Sequence, residues 1–195
     1  MAKYQLRARA DHVAETRRRI VEATLRLHQT LGPAHTSISA IAAEAGVQRH
    51  TVYSHFPDER EIYVACGGLF AERNPFPPVA AWRDIAAPGL RTRRALGEVY
   101  AFFRAHEREL GPVIRDMPLM PDLIGRRFGP YRDAAADAIV DGWGLRGGRA
   151  AKVRALVKLA LRFETWRALA RDEALGGDDA VAVMAEAILC AAGKG

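Results

Sequence analysis

At positions 48–51 the chain reads Gln-Arg-His-Thr, a run of side chains that all carry hydrogen-bonding groups. A guanidinium such as Arg49 offers a planar fork of donors that fits the O6/N7 edge of guanine. A carboxamide such as Gln48 fits the N6/N7 edge of adenine, and Thr51 can touch a thymine methyl or a phosphate. His50 adds a ring nitrogen to the same run. Upstream, the Thr36 and Ser37 hydroxyls are of the type that bonds phosphate oxygens and fixes register without reading sequence. Chemistry of this kind works only if the side chains are held rigidly and at the right spacing.

The surrounding sequence supplies that frame. Residues 36–56 read TSISAIAAEAGVQRHTVYSHF. Thr36 or Ser37 can cap a short helix whose orphan N–H groups need an acceptor. That helix carries Ile38, Ile41 and Ala42 inward and ends at Gly46, which can take the positive φ of a tight turn. Val47 plugs the turn, and a second short helix runs from Gln48 to Phe56-Pro57. Ala42, Val47 and Val52 then fix the angle between the two helices, which is the helix-turn-helix outline. Such a motif places its second helix in the major groove, with the first-turn side chains on base edges.

This segment resembles the DNA-binding domain of the TetR family. The resemblance covers about residues 13–63 and rests on Ile41-Ala42, Ala45-Gly46-Val47, Thr51-Val52-Tyr53 and His55-Phe56. It implies phosphate contacts for Tyr53 and His55. It also implies a dimer joined through the last two helices, and a helical C-terminal domain that senses a small molecule. Two positions depart from the family pattern. Ala40 stands where an acidic residue commonly completes the capping box with Ser37. Glu59 stands where the family commonly has a phosphate-binding Lys, which leaves Arg60 as its replacement.

Composition bounds the alternatives. The chain has 195 residues, a formal net charge of +6 and 49% hydrophobic residues. Lys3, Arg7, Arg9, Arg17, Arg18 and Arg19 crowd the first nineteen residues against Asp11 and Glu15. This basic segment suits either a phosphate backbone or minor groove, or plain solvation. No apolar run approaches the ~18 residues of a membrane span, and no signal peptide precedes the first helix, so the cytoplasm is the expected compartment. Cys66 and Cys190 lie apart in apolar stretches, which predicts reduced, buried thiols rather than a disulfide or zinc site. His35, His50, His55 and His106 have no metal-ligand spacing, and no nucleophile elbow or phosphate loop occurs. No catalytic residue, metal or cofactor is therefore expected.

Ala, Leu, Arg and Glu dominate and no period-2 pattern stands out, so the fold is read as all-α with about nine helices. The first helix is predicted over 13–31, with Ile20, Ala23, Thr24, Leu27 and Leu31 on one face and a stop at Gly32-Pro33. Asp58 is expected to cap a fourth helix, locally weakened at Gly67-Gly68. Residues 74–89 hold four of the ten prolines and read as a loop. Further helices are predicted over 90–108, 113–117, 122–143 (with a break at Gly129-Pro130), 148–173 and 178–192, the last capped by Asp178 or Asp179. The division expected is a DNA-binding head at 1–60 and a sensing and dimerisation body at 61–195.

The body's candidate ligand groups are its large soft side chains near helix breaks. Trp82, Tyr100, Phe103 and Met117 form one set; Met120, Phe128, Tyr131, Phe163 and Trp166 form the other. Arg104 and His106 offer polar contacts. Any one of these side chains is more often ordinary core than a ligand contact. Apolar stripes in the last two helices suit a dimer interface. The function read from this is a DNA-binding regulator, a repressor released by a largely apolar effector. The alternatives are a helical binding module without DNA affinity, an activator and a small all-α enzyme.

Overall fold

The computed structural model describes residues 2–119 and 126–193. Among these, the chain forms eleven α-helices and no strand. It divides into two compact units: Met1–Pro75 with Arg108–Gly125, called the head below, and Phe76–Glu107 with Arg126–Gly195, the body.

The head is built around α1 (Ala2–Thr30), against which α2 (Ile38–Ala45) and α4 (Glu59–Arg73) pack; α3 (Arg49–His55) lies on α2. Ile20, Ala23, Thr24, Ile41, Ala42, Val52, Phe56 and Ile62 are buried at their junction. Each fully buried large apolar side chain contributes about 1.5–3 kcal/mol, which is what holds helices as short as α2 and α3 that would not persist alone. The start of the first helix differs from the expected residue 13, since α1 begins at Ala2. No Gly or Pro interrupts residues 2–30, and the added segment is rich in good helix formers. The far end matches expectation: Gly32 has φ 97° and Pro33 opens a short 3-10 turn. Leu31, however, is 47% exposed, because the helical face it was assigned to ends at Thr30.

The C-terminal part of the head is α7 (Glu107–Asp116) and a 3-10 turn, Met117–Leu119. Asp116 is buried. Its Oδ2 accepts from the Ala34 amide (3.1 Å) and its Oδ1 from Arg115 Nε (2.7 Å), while Arg115 Nη2 donates to the Leu31 carbonyl (2.7 Å). This clasp fixes the loop between α1 and α2.

In the body, α6 (Pro88–Ala105) packs on α5 (Val79–Arg83), α8 (Arg126–Asp141) and α11 (Gly177–Ala191), and α9 (Gly147–Ala160) lies against α8 and α11. Residues 74–89 are not all loop: α5 carries Trp82 into the core. Arg91 is buried and donates to the carbonyls of Arg83, Ile85 and Ala138, holding the segment after α5 in place. Helix α8 runs through Gly129-Pro130 without a break, although Pro130 lies inside it and cannot donate to the carbonyl one turn earlier. Its expected beginning at 122 lies outside the described residues.

The long helix expected over 148–173 is broken. After α9 the chain turns extended at Arg162 (ψ 142°), then continues as α10 (Phe163–Arg167) and a π-helical turn, Ala168–Asp172. Side chains capture the carbonyls released at the break: Tyr100 OH donates to Ala160 O (3.0 Å) and Thr165 Oγ1 to Leu159 O (2.7 Å). This break and α5 raise the count above nine. Asp178 and Asp179 are not caps of α11; they sit in its first turn, where their charge suits the helix dipole. Among the described residues, no helix is long and apolar enough to cross a membrane, and no cluster of three or more His, Cys, Asp or Glu could hold a metal.

Candidate nucleic-acid interface

The turn between α2 and α3 is made by three local devices. Ser37 caps α2, its Oγ accepting from Ala40 N (3.1 Å), so the serine half of the capping box forms even with Ala40 in place of an acid. Gly46 closes α2 with φ 63°, a conformation that carries no penalty for glycine alone. Val47 N then donates to Ala42 O (2.9 Å). A fourth device comes from α1: Arg19 Nη2 donates to the Ala45 carbonyl and to Gly46 O (3.2 Å). A Cβ at residue 46 would lie 2.8 Å from that nitrogen. Sequence reading saw Arg17, Arg18 and Arg19 only as basic charge, so Arg19 as a clamp on the turn is new. Its signal, an Arg spaced to face the C-terminus of a neighbouring helix, has no meaning until the packing is known.

Helix α3 is anchored by Val52 and by Phe56 beyond its end, both 0% exposed. With these pointing inward, Gln48, Arg49 and His50 are exposed and Thr51 is half-buried. Gln48 is the N-cap residue, and its side chain makes no capping bond. His50 Nε2 lies 3.5 Å from Thr51 Oγ1. Arg49 leans along the helix, its Nη2 donating to Tyr53 OH (3.2 Å) and its guanidinium 5.7 Å from the Tyr53 ring centre. That hydrogen bond above all, with the electrostatic attraction of Tyr53, holds the Arg49 guanidinium above its ordinary pKa. Tyr53 is 38% exposed and His55 is half-buried at the last position of α3.

The remaining candidates fall on either side. Thr36 Oγ1 donates to Gly32 O (2.8 Å), so its hydroxyl hydrogen is used inside the loop, whereas the Ser37 hydroxyl only accepts and keeps its own hydrogen to give. Asp58 caps α4 as expected, accepting from Arg60 N (2.9 Å), and Glu59 and Arg60 are both exposed. Gly67-Gly68 does not interrupt α4. Arg17 lies over the Phe56 ring at 4.3 Å. Ser37, Gln48, Arg49, His50, Tyr53 and Arg60 are each exposed, Ser37 at the start of α2, the next four at the start of α3 and along it, and Arg60 in the first turn of α4, beside the acidic Asp58 and Glu59.

Between α1 and α4 is a buried polar cluster that the sequence did not announce. His28 is 3% exposed, stacked on Tyr63 (ring centres 4.8 Å apart), with Nδ1 3.4 Å from Cys66 Sγ. Burial pushes the imidazole down to about 4, although the Asp116 charge opposes this. Cys66 is buried as expected; Cys190 is exposed, contrary to expectation.

The body's ligand candidates fare differently. Trp82 Nε1 donates to Glu98 (2.8 Å), Tyr100 OH to Ala160 O and Tyr131 OH to Pro77 O (3.0 Å). Phe103, Phe163 and Trp166 pack on one another with ring centres 5.3–6.0 Å apart. Arg104 is exposed, and His106 closes α6 with its ring 4.6 Å from that of Phe102. Met117 falls in the head, while Met120 and the Phe128 side chain lie outside the described residues. An open cleft of ≈ 610 Å³ is lined by Trp82, Ile85, Leu90, Arg93, Arg94 and Glu98.

Three comparisons bear on this geometry. Residues 20–66 match the family described as bacterial regulatory proteins, tetR family. No curated protein matches the chain. Among solved structures, the chain is similar to a tetR-family transcriptional regulator from Streptomyces coelicolor (TM-score 0.64, 22% identity, 91% of this chain and 80% of that one). It is also similar to a TetR-family regulator from Mesorhizobium loti (0.59, 16% identity, 91% and 96%). A third likeness is to the transcriptional regulator FadR from Bacillus subtilis, solved in complex with stearoyl-CoA (0.59, 14% identity, 89% and 97%).

Proposed function

We propose that this chain, a DNA-binding transcriptional regulator whose head is of the TetR family, is a cytoplasmic repressor. It binds a near-palindromic operator as a homodimer and leaves it when a small molecule occupies the body. The observation that carries the reading is the first turn of α3. Gln48, Arg49 and His50 are exposed there on a helix fixed from behind by Val52, Phe56 and the Arg19 clamp. In this reading Gln48, Arg49, His50 and Thr51 meet base edges. Ser37, Tyr53, His55 and Arg60 bond phosphates, and Thr36 holds the loop that presents Ser37.

One head reads only a few base pairs, so useful specificity needs two. Dimerisation through α9 and α11 is supported by their exposed apolar positions. Ala151, Ala155 and Leu159 recur every fourth residue on α9, as do Val183, Ala187 and Ala191 on α11. Leu159 is 49% and Val183 45% exposed, which a partner surface would remedy. The effector is a small, largely apolar molecule bound by the body; the acyl chain of the stearoyl-CoA in the FadR structure is of that kind, although its CoA part is charged. Its differential affinity for the operator-free state is what lowers operator affinity.

The test is an anisotropy titration of DNA upstream of the protein's own gene, repeated across salt concentrations and with stearoyl-CoA added. Affinity falls steeply with salt, by about 10³-fold or more between 50 and 200 mM if six or more phosphates are neutralised. Sedimentation gives a dimer. A flat salt response, or a monomer at binding concentrations, ends the reading.

A further inference from the structure

In the body, Leu90, Arg93, Arg94 and Glu98 recur along α6 at helical spacing and share one of its faces. With Trp82 of α5 and Ile85 just after it, they line the open cleft of ≈ 610 Å³. That volume lies within the ~300–1,000 Å³ typical of small-molecule sites. Bonds inside the body fix its walls. Trp82 Nε1 donates to Glu98 (2.8 Å), and Arg91 donates to the Arg83 and Ile85 carbonyls (3.1 and 3.0 Å). The stretch that carries Trp82 and Ile85 is thereby held against α6, and the cleft is preformed.

Two features of its surface call for a ligand. Leu90 is 64% exposed, more than any other large apolar side chain of the body among the described residues. The charges of the lining do not balance either. Glu98 is its one carboxylate, and both oxygens are taken, Oε2 by Trp82 and Oε1 by Arg94 Nε. Arg94 spends only that nitrogen. The Arg93 guanidinium makes no hydrogen bond among the described residues and meets Glu186 of α11 only at 3.8 Å. We propose that this cleft binds a small amphiphile with a carboxylate head. The remaining guanidinium donors of Arg93 and Arg94 bond the head, a charge-assisted contact, and the apolar chain covers Leu90 and Ile85. A bare anion would leave Leu90 in water. A neutral apolar molecule would cover Leu90 but strip water from the guanidinium groups without replacing it. The proposal deepens the effector reading above and rests on it only for the step from an occupied cleft to operator release.

The experiment is a calorimetric titration of the full-length protein with decanoate and with decanol, the neutral alcohol of equal chain length, followed by the operator titration with each added. Decanoate binds stoichiometrically, and decanol binds about tenfold or more weaker, the factor that a hydrogen bond to a charged group supplies. Arg93→Ala lowers decanoate affinity by about the same factor and leaves decanol where it was. Leu90→Ser weakens both alike. Both side chains are exposed, so the melting temperature stays the same. Decanoate loosens the operator complex of the parent more than that of Arg93→Ala. Equal affinity for decanoate and decanol, or an Arg93→Ala protein that binds decanoate as the parent does, overturns the proposal. A Leu90→Ser protein whose dimer loosens in sedimentation while decanoate binding persists overturns it in favour of a contact between copies. Stoichiometric, Arg93-dependent binding that leaves the operator complex intact upholds the cleft and ends the effector reading.

Discussion

In the head, the side chains with the most hydrogen-bonding capacity on α3 face outward, and the polar groups kept inside belong to the loop and helix ends behind it. In the body the arrangement is reversed. The Trp82 indole, the Tyr100 and Tyr131 hydroxyls and the Arg91 guanidinium all end on partners within the unit. The difference teaches where each unit's specificity lies. A surface that reads DNA must keep its donors unsatisfied until the duplex arrives. A core such as the body's satisfies its donors internally and leaves only shape and apolar contact to vary.

The comparison can be broken most forcefully in the body. Trp166 is 2% exposed and sits against Phe103, Phe163 and the Arg171 guanidinium. Trp166→Ala removes this packing and lowers stability by about 3–5 kcal/mol, read as a shift in the urea midpoint. The head's surface chemistry is untouched, so the fraction that remains folded keeps its base preference. A changed preference would mean that the aromatic cluster shapes the reading surface, and the division between units would be wrong.

What the sequence made legible follows from range. The Ser37 and Asp58 caps, the Gly46 turn and the Gly32-Pro33 stop are interactions over a few residues, and their residue types declare them. The break after α9 could not be read. It depends on Tyr100, sixty residues away, reaching the Ala160 carbonyl. The start of α1 was hidden for another reason: residues 7–12 have helical propensity but are all exposed, so hydrophobic periodicity is silent there. The same gap hid the clasp of Asp116 on Ala34, which joins residues 82 apart. Among site residues, the outward set on α3 was readable because Val52 and Phe56 fix which way the helix faces.

Acid sharpens the comparison next. His28 is neutral when folded because burial holds it near 4, against 6.5 for the free side chain. Its folded value is depressed, so the unfolded chain takes up the proton first as pH falls. Stability contributed by the neutral buried ring is intact above about pH 6.5 and is lost down to about pH 4, a total of about 3 kcal/mol at 1.36 kcal/mol per unit. The body has the opposite weakness. Burial raises the Tyr100 and Tyr131 hydroxyls above 10, so stability there is full below pH 10 and declines as pH rises. All three tryptophans lie in the body, so their fluorescence reports that unit alone. In an acid titration, helicity by circular dichroism falls before tryptophan emission changes, and His28→Phe removes the lag. Coincident transitions in the parent would show that the head does not fail first.

The smallest effects test the outward surface itself, where Arg49 and Tyr53 are bonded to each other but are assigned different tasks. A bidentate Arg49–guanine contact is worth about 1–3 kcal/mol of discrimination, so Arg49→Ala relaxes preference at one operator position. Tyr53→Phe deletes one hydroxyl, the proposed phosphate donor, and costs about 1.5 kcal/mol, the low end for a bond to a charged group. Because a phosphate carries no sequence information, that loss is the same on every duplex. The 3.2 Å bond between Arg49 Nη2 and Tyr53 OH makes this a demanding test. On DNA the guanidinium must leave the phenol to reach a base edge, and the freed hydroxyl then turns to the backbone. If Tyr53→Phe instead weakens binding only on the duplex that Arg49 prefers, the two side chains stay joined in the complex. Tyr53 would then be part of the reading surface, holding the guanidinium in its plane, and the line between anchors and readers would run elsewhere on α3.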